Sequence, residues 1–506
     1  MGCTTDSHEV VVVGAGVAGA ALATVLARDG RRVLVIERDL SEPKRIVGEL
    51  LQPGGCRQLR ELGLGAALEG IDSQRVYGYG MFLYDRKMCI DYVERRAAAG
   101  WAEADEVAGR SFHNGRFVQR LREAAQAERN CTLVQGTVTR LLYEREGDET
   151  SRVCGVVYTV AADSGAERVA RASLTIACDG CASRLRRMVL PVARHSISSY
   201  FVGLILQHCE LPFPQHGHVV LADPAPVLFY PISSTEVRCL VDVPLAARSA
   251  GASGDRDGLA HYLRTAVAPQ VPDALRPALV AAIDRGDFKL MPNRVMPARP
   301  VSLRGALLLG DSFNMRHPLT GGGMTVALSD VRLIRAVLRS VPDLADDAMA
   351  MRKLQAFYSQ RKPLSSTINI LADALYAVMC ATDDPALKEM RSACFDYLAS
   401  GGRRSTDPMA MLGGLRPSPY LLAAHFFAVA GFGIGRVLLP LPTPAKIARA
   451  WKLFCAAFNI VKPLIDAERV TLLAYVPVGH IPTGCGRLVL AAAAVAVALV
   501  VWLLWR

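Results

Sequence analysis

Between a β-branched run, Val10–Val13, and an apolar stretch, Ala20–Ala27, the chain reads Gly14-Ala15-Gly16-Val17-Ala18-Gly19. Glycines at these spacings permit a tight turn, let backbone approach a pyrophosphate and let a helix sit close against the strand before it. The first turn of that helix offers unpaired N–H groups and a positive dipole end to an anion. A second strand, Arg32–Ile36, leads to Glu37, 18 residues past Gly19, where a carboxylate can accept hydrogen bonds from a ribose. Strand, helix and acid in register predict the opening βαβ unit of a doubly wound sheet that binds a dinucleotide, with Gly14, Gly16, Gly19 and Glu37 in contact with it. Read without their context, the same glycines form a tight turn beside a surface glutamate.

FAD and NAD share this fingerprint, and two later segments separate them. Leu307-Leu308-Leu309 runs into Gly310-Asp311, followed by Pro318 and Gly321-Gly322-Gly323. An aspartate at a strand end can hold ribityl hydroxyls, and a helix starting after the three glycines can face a flavin ring. Cys178-Asp179-Gly180 ends another apolar strand. The three pieces in this order favour FAD.

The remaining sequence reads as several regions. Pro53-Gly54-Gly55 opens a helical stretch, and Cys131–Val160 alternates as antiparallel strands do. Residues 195–290 mix strands with Pro-rich turns, the pattern of a separate substrate domain. Beyond residue 330 the chain turns helical, and Gly401–Pro419 reads as a linker or turn. Thirteen cysteines, an odd number, fit idle thiols in a reducing compartment, and no metal is expected.

A hydrophobic share of 51% and a formal charge of +11 raise the question of partners. No nucleic-acid motif accompanies the charge, so a membrane surface is expected and nucleic acid is not. The apolar excess lies at the C-terminus. Leu421–Leu441 is apolar but interrupted, and Trp451–Ile465 has the makings of an interfacial helix. Leu488–Trp505 is 18 uncharged, apolar residues between Arg487 and Arg506. As a helix it would span roughly 27 Å, near the thickness of the endoplasmic reticulum bilayer, and it is expected to anchor the chain. Met1-Gly2-Cys3 hints at lipidation, but Asp6 stands where Ser or Thr is wanted.

Two long stretches carry a resemblance. Val33–Gly55, VLVIERDLSEPKRIVGELLQPGG, and Gly310–Val326, GDSFNMRHPLTGGGMTV, are similar to the squalene monooxygenase (squalene epoxidase) family, as are Asn369–Tyr376 and His425–Ala430. The resemblance runs from about residue 8 to residue 465. It implies an FAD enzyme that converts squalene and O₂ to (S)-2,3-epoxysqualene through a C4a-hydroperoxyflavin, in sterol biosynthesis. It implies electrons from NADPH-cytochrome P450 reductase, and a catalytic part facing the cytosol on the endoplasmic reticulum membrane. Carried over by position, Val17, Ala18, Glu37, Arg38, Arg45, Arg122, Val138, Asp311 and Met324 would contact FAD, with Arg45 and Arg122 neutralising the pyrophosphate. Tyr79, with Gln52 as its partner, would act beside the flavin ring. Leu50 stands where many relatives have an aromatic, and residues 80–108 diverge.

The expected architecture is α/β. It comprises an FAD-binding Rossmann-like domain of the aromatic-hydroxylase type, a mixed-sheet substrate domain and a helical, membrane-associated C-terminus. The FAD domain would be assembled from residues 8–64, 111–190 and 296–335. Residues 65–110 would be an inserted substrate-side segment, 191–295 the substrate domain, 336–415 a helical region, and 416–506 the membrane-associated helices. Two rivals share the fingerprint: another flavin enzyme acting on a prenyl lipid, and a non-catalytic prenyl-binding protein of the Rab-escort kind. Asp311 and the three-glycine run favour the enzyme.

Overall fold

A computed structural model describes residues 7–93, 107–160, 165–190, 195–245, 256–381 and 383–468. Leu488–Trp505 and Met1-Gly2-Cys3 lie outside them.

The βαβ unit forms as the glycine spacing predicts. Strand β1 (Ser7–Val13) leads into helix α1 (Val17–Arg28), and strand β2 (Val33–Glu37) returns parallel to β1, with Val10 beside Val33. Val10, Val11 and Val12 are wholly buried, as expected of a parallel strand covered on both faces. Glu167–Ala177 flanks β1 on its other side, and Ala306–Leu308 adds to that strand, again in parallel. Three distant parts of the chain thus meet in one sheet, and the ends of three of its strands carry the glycine loop, Cys178-Asp179-Gly180 and Gly310-Asp311.

The reading of Cys131–Val160 as wholly antiparallel needs a correction. Cys131–Gln135 runs parallel to β2, reached through the helix Asn114–Gln126, whereas Thr137–Tyr143 and Val153–Thr159 pair antiparallel. Alternating burial is common to both kinds of edge strand, and only the crossover helix sets the direction.

The second large sheet takes strands from two regions. Its order is Lys289–Val295, Ser196–Gln207, Glu236–Pro244, Val227–Pro231, Gly217–Val220, Gly78–Leu83 and Arg86–Asp91. Gly217–Val220 pairs parallel with Gly78–Leu83, which joins the early segment to the later one.

Helices Lys362–Met379, Pro385–Ala399, Arg403–Leu412, Pro419–Leu438 and Pro444–Glu468 pack beside this sheet. Gly401–Pro419 is therefore not a linker. It contains a helix whose Met409 and Met411 are core residues. Gly401 and Gly402, both at positive φ, break the chain before this helix. At its far end a Cβ on Gly54 would lie 2.4 Å from the Gly414 carbonyl oxygen, and Gly54 N–H donates to the Gly413 carbonyl at 2.7 Å. These glycines serve close packing of one backbone on another.

Candidate active site

A cavity opens where the N-terminus of α1 meets the turn after Ala306–Leu308. Gly16, Val17, Ala18, Arg45, Gly310, Asp311 and Met324 all line it. Gly14 sits at φ +99°, and a Cβ there would lie 2.6 Å from the Cys178 carbonyl oxygen; one on Gly19 would lie 1.9 Å from that of Gly14. Gly16 has open space where its Cβ would point. Two glycines therefore press the loop onto the sheet, and the third leaves a cradle for a ligand. With a helix N-terminus on one wall and the Asp311 carboxylate on another, the cradle fits a pyrophosphate joined to a polyol chain.

The other expected contacts stand apart from the cavity wall. Glu37 turns its carboxylate onto the glycine loop, accepting from Ala15 N–H at 2.6 Å and Asp39 N–H at 3.2 Å. Arg122 is buried and donates to the carbonyls of Ala15 (2.9 Å), Ser41 (3.0 Å) and Asp39 (3.1 Å). Its guanidinium braces the loop after β2 against the glycine loop and does not line the cavity. Arg38 is exposed just past β2, and Val138 is half-buried opposite Tyr158. Of the cations carried over from the resemblance, Arg45 alone lines the cavity.

A second cation there was not foreseen. Arg316 is buried, is held by the Asn314 carbonyl (3.0 Å) and side-chain oxygen (2.9 Å), and keeps a buried Nε without a partner. It lies inside the GDSFNMRHPLTGGGMTV run, where being that run's sole arginine was the available signal. Burial pulls its pKa down, with Asp311 the foremost opposing influence.

Tyr79 and Gln52 are brought together as expected. Gln52 Nε2 donates to the Tyr79 hydroxyl oxygen at 2.7 Å and to the Thr320 carbonyl at 2.6 Å. Tyr92, missed because it falls in the divergent segment, donates its hydroxyl to Gln52 Oε1 at 2.5 Å and meets the Tyr79 ring edge-on. All three side chains are buried, and burial pushes the Tyr79 phenol above its ordinary pKa, so it stays protonated. Gly217 makes room for the ring: its Cβ would lie 2.9 Å from Tyr79 Cε1.

Tyr79 and Leu319 also form a wall of a second, almost wholly apolar chamber. Met81, Leu371, Ala374, Val378, Leu398, Met409 and Val429 line the rest of it. Its main polar feature is a hydrogen bond of 2.8 Å between the Tyr397 hydroxyl and His425 Nδ1. The chamber was not legible beforehand, because each helix contributing to it presents an ordinary core stripe.

Two buried braces fix the cavities relative to each other. Glu49, on the cofactor-side cavity, holds Arg238 of the second sheet through a bidentate pair of 2.7 and 2.8 Å. Asp242 accepts from Ser199 (2.5 Å), Asn293 (3.0 Å) and Tyr376 (2.9 Å), while the His317 ring stacks on Tyr376 at 3.8 Å.

A dinucleotide cradle beside an apolar chamber, on a Rossmann-like sheet joined to a second mixed sheet, defines the fold class of FAD-dependent monooxygenases. Solved structures agree. The chain is similar to p-nitrophenol 4-monooxygenase PnpA of Pseudomonas putida (TM-score 0.64, 18% identity, 81% of this chain and 100% of that one). It is also similar to the flavin-dependent brominase Bmp2 (TM-score 0.65, 16% identity, 84% and 99%). A profile for an NAD(P)-binding Rossmann-like domain matches residues 12–41, and one for squalene epoxidase matches residues 171–451. Squalene monooxygenase SE2 of Panax ginseng is 53% identical over 92% of this chain and 82% of its own length. Squalene epoxidase 3 of Arabidopsis thaliana is 52% identical (91% and 85%), and squalene monooxygenase of Mus musculus 42% (91% and 78%). The chain belongs to the squalene epoxidase family.

Proposed function

We propose that the chain uses FAD in the glycine-lined cavity to transfer one oxygen atom of O₂ to squalene lying in the apolar chamber, giving 2,3-epoxysqualene. The observation that carries this reading is the wall of Tyr79 and Leu319 shared by the two cavities. Bound FAD supplies the oxygen activation. The chain supplies place and environment. Val17 and Ala18 present the helix N-terminus to the pyrophosphate, Asp311 accepts from the ribityl hydroxyls, and Arg45 and Arg316 bring positive charge to the cavity. Gln52 fixes the Tyr79 hydroxyl at the boundary. The chamber admits a hydrocarbon and excludes water, which protects the reactive flavin. An alkene has no proton to be removed, so the chamber needs no base.

The shared wall is tested by filling the chamber beyond it. Ala374 is buried on the chamber wall. Ala374→Phe should keep its FAD and lose epoxide formation by tenfold or more; parent-level epoxidation would place squalene elsewhere.

Electrons are proposed to come from NADPH through NADPH-cytochrome P450 reductase. The remaining glycine-rich run, Gly431-Phe432-Gly433-Ile434-Gly435, supports this. It lies within the helix Pro419–Leu438, where a Cβ on Gly433 would approach Leu453 and Ala393 at 3.0 and 3.1 Å, so it serves helix packing rather than a nucleotide.

Association with the endoplasmic reticulum membrane, with the catalytic part on the cytosolic side, is proposed from the last two described helices. Pro419–Leu438 is long and apolar enough to cross a membrane, and a third of its apolar window is buried in the protein. Around its end and along Pro444–Glu468, Leu439, Leu441, Ile447 and Trp451 are exposed beside Arg449 and Lys452. Apolar and aromatic side chains among cations suit an anionic lipid surface.

A further inference from the structure

The edge strand Arg86–Asp91 carries Cys89 and Asp91 on one face, because side chains two apart in a strand point the same way, while Ile90 between them is buried. Asp91 pairs with Gly78, and Gly217, the residue after His216, pairs with Tyr79. His216 and Asp91 therefore flank Gly78 across the sheet, where a Cβ would lie 2.0 Å from the Ile90 carbonyl oxygen, so the strands approach closely there. The Cys89 sulfur, an Asp91 carboxylate oxygen and a His216 ring nitrogen all lie within 4.8 Å of one another.

The hydrogen bonds of His216 sharpen this. Nδ1 is 2.8 Å from the Pro214 carbonyl oxygen, and Nε2 is 2.8 Å from Asp91 Oδ1. Both neighbours are acceptors, so each ring nitrogen donates a proton here, and a cation bound by Nε2 and Asp91 would take the place of the Nε2 proton. An imidazole whose far N–H is held by a backbone carbonyl has the orientation of a metal-ligating histidine. Sulfur, nitrogen and carboxylate oxygen together suit Zn²⁺ better than Mg²⁺ or Ca²⁺, which take oxygen ligands. Cys89 is exposed, which admits the ion and leaves a coordination position to water.

We propose that Cys89, Asp91 and His216 form a binding site for one Zn²⁺ ion, separate from the FAD cavity and the apolar chamber. Its third ligand, His216, lies far along the chain from Cys89 and Asp91, so no short spacing announces the full set. The ion would clamp the edge strand to the entry of Gly217–Val220. Both ends of this clamp adjoin the Tyr79 network: Tyr92, next to Asp91, holds Gln52, and Gly217, next to His216, packs under the Tyr79 ring.

The test uses tag-free, FAD-loaded protein freed of metal by a chelator. Zn²⁺ titrated against a chromophoric chelator should show one more bound equivalent in the parent than in Cys89→Ser, and Zn²⁺ should raise the melting temperature of the parent only, since a ligand of the folded state stabilises it. Co²⁺ should give the strong absorption of a four-coordinate thiolate site, at wavelengths beyond the flavin bands, in the parent and not in Cys89→Ser. Asp91→Asn should weaken Zn²⁺ binding at least tenfold while keeping the thiolate. Equal stoichiometry and equal Co²⁺ spectra in parent and Cys89→Ser, or only the weak spectrum of six-coordinate Co²⁺ in the parent, would overturn the proposal.

Discussion

Gly14 and Gly19 each occupy a point where a side chain would collide with backbone, whereas Gly16 faces open space. This difference separates residues that shape the cradle from residues that touch its contents, and it extends to the charged groups. Arg122 and Glu37 hold the loop in place, while Asp311 lines the cavity. Asp311 and Tyr79 should consequently fail in different ways. Hydrogen bonds to a charged group contribute about 1.5–3 kcal/mol each, so Asp311→Ala should weaken FAD binding at least tenfold, measured by flavin retention on dilution. Tyr79→Phe keeps the ring against Gly217 and Tyr92 and removes only the hydroxyl that Gln52 holds. Its flavin content should match the parent while epoxide formed per NADPH consumed falls. A Tyr79→Phe protein that epoxidises at the parent rate would make Tyr79 a packing residue. At this scale the sequence disclosed the glycines and Asp311 through motif spacing, and Tyr79 and Gln52 through resemblance alone. Arg316 and Tyr92 stayed hidden, because nothing local marks a residue whose partners are distant in the chain.

Among elements, α1 and Gly323–Arg339 open on the cofactor cavity and are locked together at their far ends. Asp29, at the C-terminus of α1, accepts from Arg335 at 2.8 and 2.9 Å and from Arg339 at 2.7 and 2.8 Å. Burial alone would raise its pKa, but the hydrogen bonds from Arg335 and Arg339 outweigh it and bring the value down from 3.8 to about 2. A carboxylate whose pKa is lower in the folded state stabilises the fold above its unfolded pKa, and that contribution disappears as pH falls through the folded value. Asp29→Asn should therefore melt below the parent at pH 7, and the gap should close between about pH 4 and pH 2. A gap independent of pH in that window would mean that the ion pairs contribute little. The hairpin of the last two described helices carries an exposed apolar surface. Leu441→Glu combined with Trp451→Glu should reduce co-sedimentation of a protein truncated before residue 484 with anionic vesicles, leaving FAD content unchanged; undiminished binding would remove this surface from the membrane contact. Helix and strand periodicity disclosed most of these elements. It failed at Gly401–Pro419, where glycines that serve close packing read like glycines that serve flexibility, and at Cys131–Gln135, whose direction depends on a crossover.

Over the whole molecule, one sheet gathers three stretches of chain to build the cofactor cavity, and a second sheet with four helices encloses the chamber. Glu49–Arg238 and the Asp242 cluster hold the two together. Removing one partner of a buried pair such as Glu49–Arg238 leaves a charge uncompensated, at a cost of about 3–5 kcal/mol, so the relative position of the cavities is built in. The fold class was legible because the Rossmann glycine pattern is local. The chamber was not, since it exists only as the space left between helices that each look like ordinary core. These adjoining cavities are proposed to epoxidise squalene with one atom of O₂. FAD-loaded protein incubated with squalene, NADPH, NADPH-cytochrome P450 reductase and ¹⁸O₂ tests it most directly. The expected product is 2,3-epoxysqualene carrying one ¹⁸O, with one NADPH consumed per epoxide in coupled turnover and no epoxide when the reductase is omitted. Oxidation of NADPH that yields only peroxide, or epoxide formed as fast without the reductase, would contradict it.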